Sequence, residues 1–280
     1  MGTDKVPEEV DLLIINGPVK PLLPEELEML RVWLSQGGSL FILLDPLSQT
    51  KIKTGLENFI GEWGIKMEND IIIDPMARLS GGDFAAPIIR HYGMHGITKD
   101  FTLPTIFLLL RSVTSKPYDD VVVDDLLFSG PDSWAEKDLS GEKIRFDKGV
   151  DQKGPVPVAV AAVRQYPTGD PAKSPGPDGG AEAPKEDPPV IKANMVIVGD
   201  SDFASNNYVN LYGNGDFFLN TASWLLKEEN LISIRPRERK SSPMKLTSGQ
   251  GTALFVFGTF VFPLGVAVAG AVVWWRRRAL

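Results

Sequence analysis

The chain has 280 residues, 43% hydrophobic and 23% charged, with 29 basic against 36 acidic side chains and a formal charge of −7. That much apolar chain can bury a sizeable core, which excludes a wholly disordered protein, and the acidic balance argues against nucleic acid as the main partner, because phosphate binding needs a basic surface. The absence of cysteine excludes a disulfide scaffold, a thiolate metal site and a cysteine nucleophile, while two histidines, His91 and His95, are too few for most metal centres.

Residues 11–16 (DLLIIN) form a continuous apolar run, which predicts a strand buried on both faces of a parallel sheet. Residues 24–36 predict a helix: Pro24 suits the first turn, Glu25 and Glu26 the positive end of the dipole, and Leu27, Leu30 and Leu34 share one face. Gly37 and Gly38 end it, and residues 39–44 (SLFILL) predict a second buried strand ending at Asp45-Pro46. A helix over 53–63 closed by Gly64, and a strand over 69–73 ending at Asp74-Pro75, complete a β-α-β-α-β rhythm that implies a parallel sheet with helices on its faces.

Residues 80–96 are glycine-rich, hold both histidines and read as an irregular excursion. Residues 105–113 (TIFLLLRSV) are apolar but too short to span a membrane; 118–129 are β-prone, and 132–139 (DSWAEKDL) resemble a short capped turn or helix. Two further strands are expected at 155–163 and 193–198. Between them, residues 167–189 hold seven prolines and four glycines and read as a disordered insertion between neighbouring strands. A helix over 216–226 with Phe217, Thr221, Trp224 and Leu225 on one side, a final strand at 231–235 and a polar tether over 235–248 complete the soluble part.

Residues 253–275 carry no charge over 23 positions. At about 1.5 Å per residue such a helix measures roughly 34 Å, enough to cross a hydrocarbon core of about 30 Å. Trp274 and Trp275 suit the headgroup level, and Arg276–Arg278 place the C-terminus in the cytoplasm by the positive-inside bias. Pro263 predicts a tolerated kink, and Gly265, Ala267, Ala269 and Ala271 give small-xxx-small spacings. The bulk of the chain then lies outside the cytoplasmic membrane. No basic n-region with an apolar h-region follows Met1, so an N-terminally truncated piece of a longer protein is expected.

Asn16, Asp45, Asp74 and Asp200 each end an apolar run, so a doubly wound sheet would bring them to one crevice as speculative ligand-binding residues. Asp202 adds a second carboxylate beside Asp200, a pair that suits a hard cation, although aspartate after a strand more commonly caps the next turn. No phosphate loop and no G-x-S-x-G elbow occurs, so the chain carries no ATPase motor and no such serine hydrolase site. No catalytic residue, metal or cofactor is assigned.

The segments DLLIINGPVKPLLPEELEMLRVWLSQGGSLFILLDPL, HGITKDF, PDSWAEKDL, GPVPVAVAAV and VIVGDSDFASNNYVNLYGNGDFFLNTASWLL, in this order and spacing, resemble the GldG-like auxiliary subunits of ABC-type transport systems, a family associated with gliding motility. Members have an additional N-terminal membrane segment that is not found in this sequence. The resemblance implies a cell-envelope protein that partners an ABC permease subunit and, through it, a cytoplasmic ATPase. The sheet pattern is also similar to class I glutamine amidotransferase-like domains, whose chemistry needs a cysteine that is absent here.

The expected fold is therefore α/β, a mostly parallel sheet with flanking helices in amidotransferase-like or flavodoxin-like layering, plus a C-terminal transmembrane helix. The expected division is an extracytoplasmic domain over 1–235, a tether over 236–252, a span over 253–275 in contact with membrane lipid, and a cytoplasmic tail over 276–280. The expected role is a non-catalytic auxiliary subunit in a bacterial inner membrane. The alternative is a membrane-anchored hydrolase or carbohydrate-processing enzyme using Asp45, Asp74, Asp200 or Asp202.

Overall fold

Leu12–Asn16 (β1), Pro24–Ser35 (α1) and Ser39–Leu43 (β2) form the expected β-α-β unit in the computed structural model, which describes residues 5–47, 51–79, 82–116, 118, 120–139, 144–167, 190–227 and 255–278. The start of α1 follows its sequence: Pro24 occupies the first turn, and Glu26 reaches back to accept the Leu23 amide at 2.8 Å. The helix buries Leu30, Trp33 and Leu34 and stops at Gly37, whose φ of +95° favours glycine.

Beyond β2 the chain runs through Leu56–Gly61 (α2), Ile65–Met67 (β3), Ile71–Ile73 (β4), Pro75–Leu79 (α3), Ile88–Ile89 (β5), His91–Tyr92 (β6), Thr105–Ile106 (β7), Val113–Ser115 (β8) and Val121–Phe128 (β9). Trp134–Glu136 (β10), Gln152–Lys153 (β11), Pro157–Pro167 (β12), Val190–Val198 (β13) and Asn214–Leu225 (α4) follow, and Phe262–Arg278 (α5) is the last helix.

The main sheet has six strands in the order β1-β2-β13-β12-β9-β6. Only β1, β2 and β13 run parallel as adjacent pairs; β12 reverses against β13, β9 against β12 and β6 against β9. The α/β class is as expected, but the sheet is mixed rather than mostly parallel. Two expectations are corrected for the same reason. The run at 69–73 forms β4, which leaves the main sheet and pairs with β10 in a separate antiparallel sheet, β11-β10-β4. The segment 132–139, expected as a short capped turn or helix, supplies its partner: a turn at 131–132 leads into strand β10. Three consecutive buried isoleucines satisfy any sheet interior, so their apolar run did not distinguish one sheet from another.

In place of β4, β13 sits beside β2, with Asn194 opposite Ser39 and Val198 opposite Leu43. β12 and β13 are antiparallel neighbours, as expected for strands flanking an insertion; the insertion itself lies outside the described residues beyond Pro167. The expected strand at 231–235 and the tether also lie outside them.

The sheet is packed on both faces. Leu40, Ile42 and Leu44 point into a cluster with Leu34 of α1 and Phe59 and Trp63 of the α2 region, while Phe41 and Leu43 point into a second cluster with Phe107, Phe203 and Phe217 of α4. β2 is accordingly buried at every position, whereas β1, at the sheet edge, leaves Ile14 and Asn16 exposed. The expectation that β1 is buried on both faces is corrected by its edge position.

A second unit follows, of which residues 255–278 are described. In it, Phe257–Arg278 is the one helix among the described residues that is long and apolar enough to cross a membrane. A π-helical turn over Phe257–Val261 stands just before Pro263, which has no amide to give to the carbonyl four residues back, and the wider turn absorbs that mismatch.

Candidate functional site

Asn16, Asp45 and Asp200 come to one edge because β1, β2 and β13 are parallel neighbours in matched register. Asn16 and Val198 both lie opposite Leu43. Gly17 turns the chain immediately after β1 with a φ of +54°; a Cβ there would lie 2.6 Å from the Ser201 hydroxyl and 3.4 Å from Asp45 Oδ2. The crowding requires glycine at this turn. Asn16 itself is exposed at the end of β1.

Asp45 and Ser201 form a two-point clip. The Ser201 amide donates to Asp45 Oδ1 at 2.7 Å and the Ser201 hydroxyl to Asp45 Oδ2 at 2.7 Å. Burial pushes the Asp45 carboxyl above its ordinary value, opposed by these two bonds. Asp200 is fully buried and points the other way: its carboxylate accepts the Asp202 amide at 3.2 Å and the Phe203 amide at 3.0 Å, capping the 3₁₀ turn Asp202–Ala204. Burial, then the neighbouring Asp45 charge, drives the Asp200 carboxyl well above the usual carboxylate range. Asp202 opens that turn, half-buried, and its charge raises both Asp45 and Asp200 further.

Asp74 does not join this group. It ends β4 in the other sheet, where its carboxylate accepts the Met76 amide at 2.9 Å at the start of α3. The expectation of four convergent strand ends is corrected to three, because β4 does not belong to the main sheet.

The residue that organises this edge from behind is Arg111, near the end of the apolar run at 105–113. It is 1% exposed, yet its guanidinium donates to the carbonyls of Glu68 at 2.7 Å, Met67 at 3.2 Å and Asp45 at 3.2 Å. Its amide donates to the Gly199 carbonyl at 3.0 Å, and a Cβ on Gly199 would collide with the Arg111 carbonyl. Beside it, Asp70 repeats the clip geometry, accepting the Ser112 amide at 2.9 Å and hydroxyl at 2.7 Å. A charged residue inside an apolar run is itself the sequence signal for such a site, since a buried charge needs several partners. Ser201 and Gly17 left no comparable mark.

The chemistry of this edge is limited by how its polar groups are spent. Ser201 donates to a carboxylate, but no imidazole stands by to relay a proton: His91 lies in β6 at the opposite edge of the sheet, and His95 meets Trp224 edge to face with ring centroids 4.7 Å apart and accepts the Ile97 amide on Nδ1. Among the described residues no three carboxylate or imidazole groups are arranged to hold a metal ion. Asp45 fastens one turn to another, while Asp200 and Asp74 each hold the turn that follows them.

A family model described as an ABC-type uncharacterized transport system matches residues 2–221, most of the chain and all of the main sheet. No curated protein matches the sequence. Among solved structures, the mmIFT52 N-terminal domain superposes with a TM-score of 0.51 at 15% identity over 78% of each chain, a likeness of fold.

Proposed function

The chain belongs to this family of ABC-type transport system auxiliary components, and from that premise we propose that it is a non-catalytic, membrane-anchored subunit of such a system. The family match carries the reading. It is supported by the resemblance to GldG-like subunits and by the terminal apolar helix, which ends in three arginines in its last turn. On this reading the helix spans the bacterial inner membrane with Arg276–Arg278 inside, the α/β domain lies outside, and the protein engages an ABC permease subunit and, through it, a cytoplasmic ATPase. The domain serves as a binding module for a partner or for the transported substrate. The internal bonding of Asp45 and Asp200 favours this over the hydrolase alternative, because Asp200 is fully buried and both oxygens of Asp45 already accept Ser201 donors, whereas a hydrolytic carboxyl must be open to its substrate.

Two measurements test it. A reporter fused after Leu280 is expected to be active in the cytoplasm only, and activity only outside it would reverse the orientation. Purified protein is expected to be silent on a panel of glycans and esters; turnover that disappears in Asp45→Asn or Asp200→Asn would establish the enzyme instead.

A further inference from the structure

The two edges of the six-stranded sheet are protected differently. At the far edge, the two-residue β6 and the Gly93 that follows it cover Leu126, Leu127 and Phe128, and the stretch of β9 before them carries the exposed Asp124. A short cover and outward charges are the usual devices that keep an edge from recruiting another chain. The β1 edge has neither. Its five residues, Leu12, Leu13, Ile14, Ile15 and Asn16, are uncharged, and none of the described residues bonds to its outer backbone. Ile14 is 40% exposed.

On the α1 side of this strand lies a cleft of about 770 Å³ whose apolar lining includes Val6, Val10, Leu13, Ile15, Leu22 and Met29. Its rim is acidic. Glu25 and Glu26 border it, and Glu8 and Glu28 border the adjoining hollow. Lys5 is paired with Glu8 at 2.8 Å and Arg31 with Glu28 at 3.1 Å, whereas Glu25 and Glu26 have no cationic partner among the described residues.

We propose that β1 is a strand-addition site. An extended segment of a partner protein pairs with its open edge, places apolar side chains in the cleft, and carries lysine or arginine against Glu25 and Glu26. Backbone pairing supplies affinity, alternate side chains supply selectivity, and the basic flanks set direction. The rim argues against a second copy of this chain, since two-fold pairing of β1 with β1 would bring two acidic rims together. The proposal concerns the kind of partner and stands whether or not the transport reading does.

The test uses the full chain in detergent micelles and a fluorescent nine-residue peptide alternating valine and threonine between terminal lysines. Saturable binding is expected, with hydrogen-exchange protection gained at residues 12–16. A roughly tenfold loss is expected in high salt and a severalfold loss in Glu25→Lys, whose side chain is at the surface and, unlike that of Glu26, does not hold the Leu23 amide. The same peptide with alternate backbone amides methylated keeps its charge but cannot pair, and is expected not to bind. Equal binding of the methylated peptide, equal binding of a version flanked by glutamates, protection gained elsewhere, or no binding would each overturn the proposal. So would a dimer of the chain that protects residues 12–16 on its own, which would make the second copy the occupant.

Discussion

Asp45 takes both the amide and the hydroxyl of Ser201, each at 2.7 Å, and so ties the turn after β2 to the turn after β13 across adjacent parallel strands. Hydrogen bonds to a charged group are worth more than neutral ones, and a buried donor left unpaired costs its full desolvation. Ser201→Ala is expected to lower stability by about 1 kcal/mol and Asp45→Ala by about 2–3 kcal/mol, read from urea unfolding followed by tryptophan fluorescence. An unchanged midpoint in Asp45→Ala would mean the clip contributes nothing.

The pH dependence has a fixed sign. Burial raises the carboxyls of Asp45, Asp70 and Asp200 above their ordinary value of 3.8, Asp200 most strongly. A native state that holds its protons more tightly than the unfolded chain is favoured where those protons are bound. The stabilisation is complete below the ordinary carboxylate value and is lost as pH rises through the raised folded values. The raised carboxyls are therefore expected to lower the Tm of the α/β domain as pH rises above their ordinary value, and Asp200→Asn is expected to flatten that slope. A Tm that climbs as pH rises above that value, or a slope unchanged in Asp200→Asn, would contradict the assignment.

Gly17 and Ser201 are coupled sterically. Gly17→Ala is expected to cost about 1–3 kcal/mol, from the positive φ together with the 2.6 Å approach to the Ser201 hydroxyl. In a Ser201→Gly background the steric share disappears, so the same substitution should cost less there. A double-mutant cycle measures the difference, and strict additivity would show that the two do not touch.

Arg111 is the largest single liability. Arg111→Ala strips donors from three carbonyls at once and is expected to cost about 3–5 kcal/mol, with Arg111→Lys recovering part of it. Yield and urea midpoint of the two variants provide the comparison. Equal loss in both would imply that the planar fork, rather than the charge, is what the site requires.

The stretch from α1 to β2 was legible because each local signal agreed with the fold: Pro24 and Glu26 open α1, Gly37 closes it, and the apolar run at 39–44 lies in a central strand. The place of β13 was not, because the pairing of Val198 with Leu43 joins residues far apart in sequence and no local pattern encodes it. The same gap hid the departure of Ile71–Ile73 into a second sheet, and with it the removal of Asp74 from the strand-end group. Of that group, Asp45 and Asp200 were visible as polar stops after apolar runs. Their partner Ser201 was not, since serine after a strand has no distinctive sequence mark, and Arg111 was concealed by reading its segment only for hydrophobicity.

A subunit of a transporter comes out of the membrane with the rest of its assembly, so isolation of that assembly is the decisive measurement. The tagged full chain, solubilised in mild detergent from its native membrane, is purified in the wild-type form and with Asp45→Asn. An ABC permease and its ATPase are expected to co-purify in fixed ratio with both forms, because the carboxylate has no catalytic part in the association. Recovery of the chain alone, together with aspartate-dependent turnover of a glycan or ester in the eluate, would contradict it.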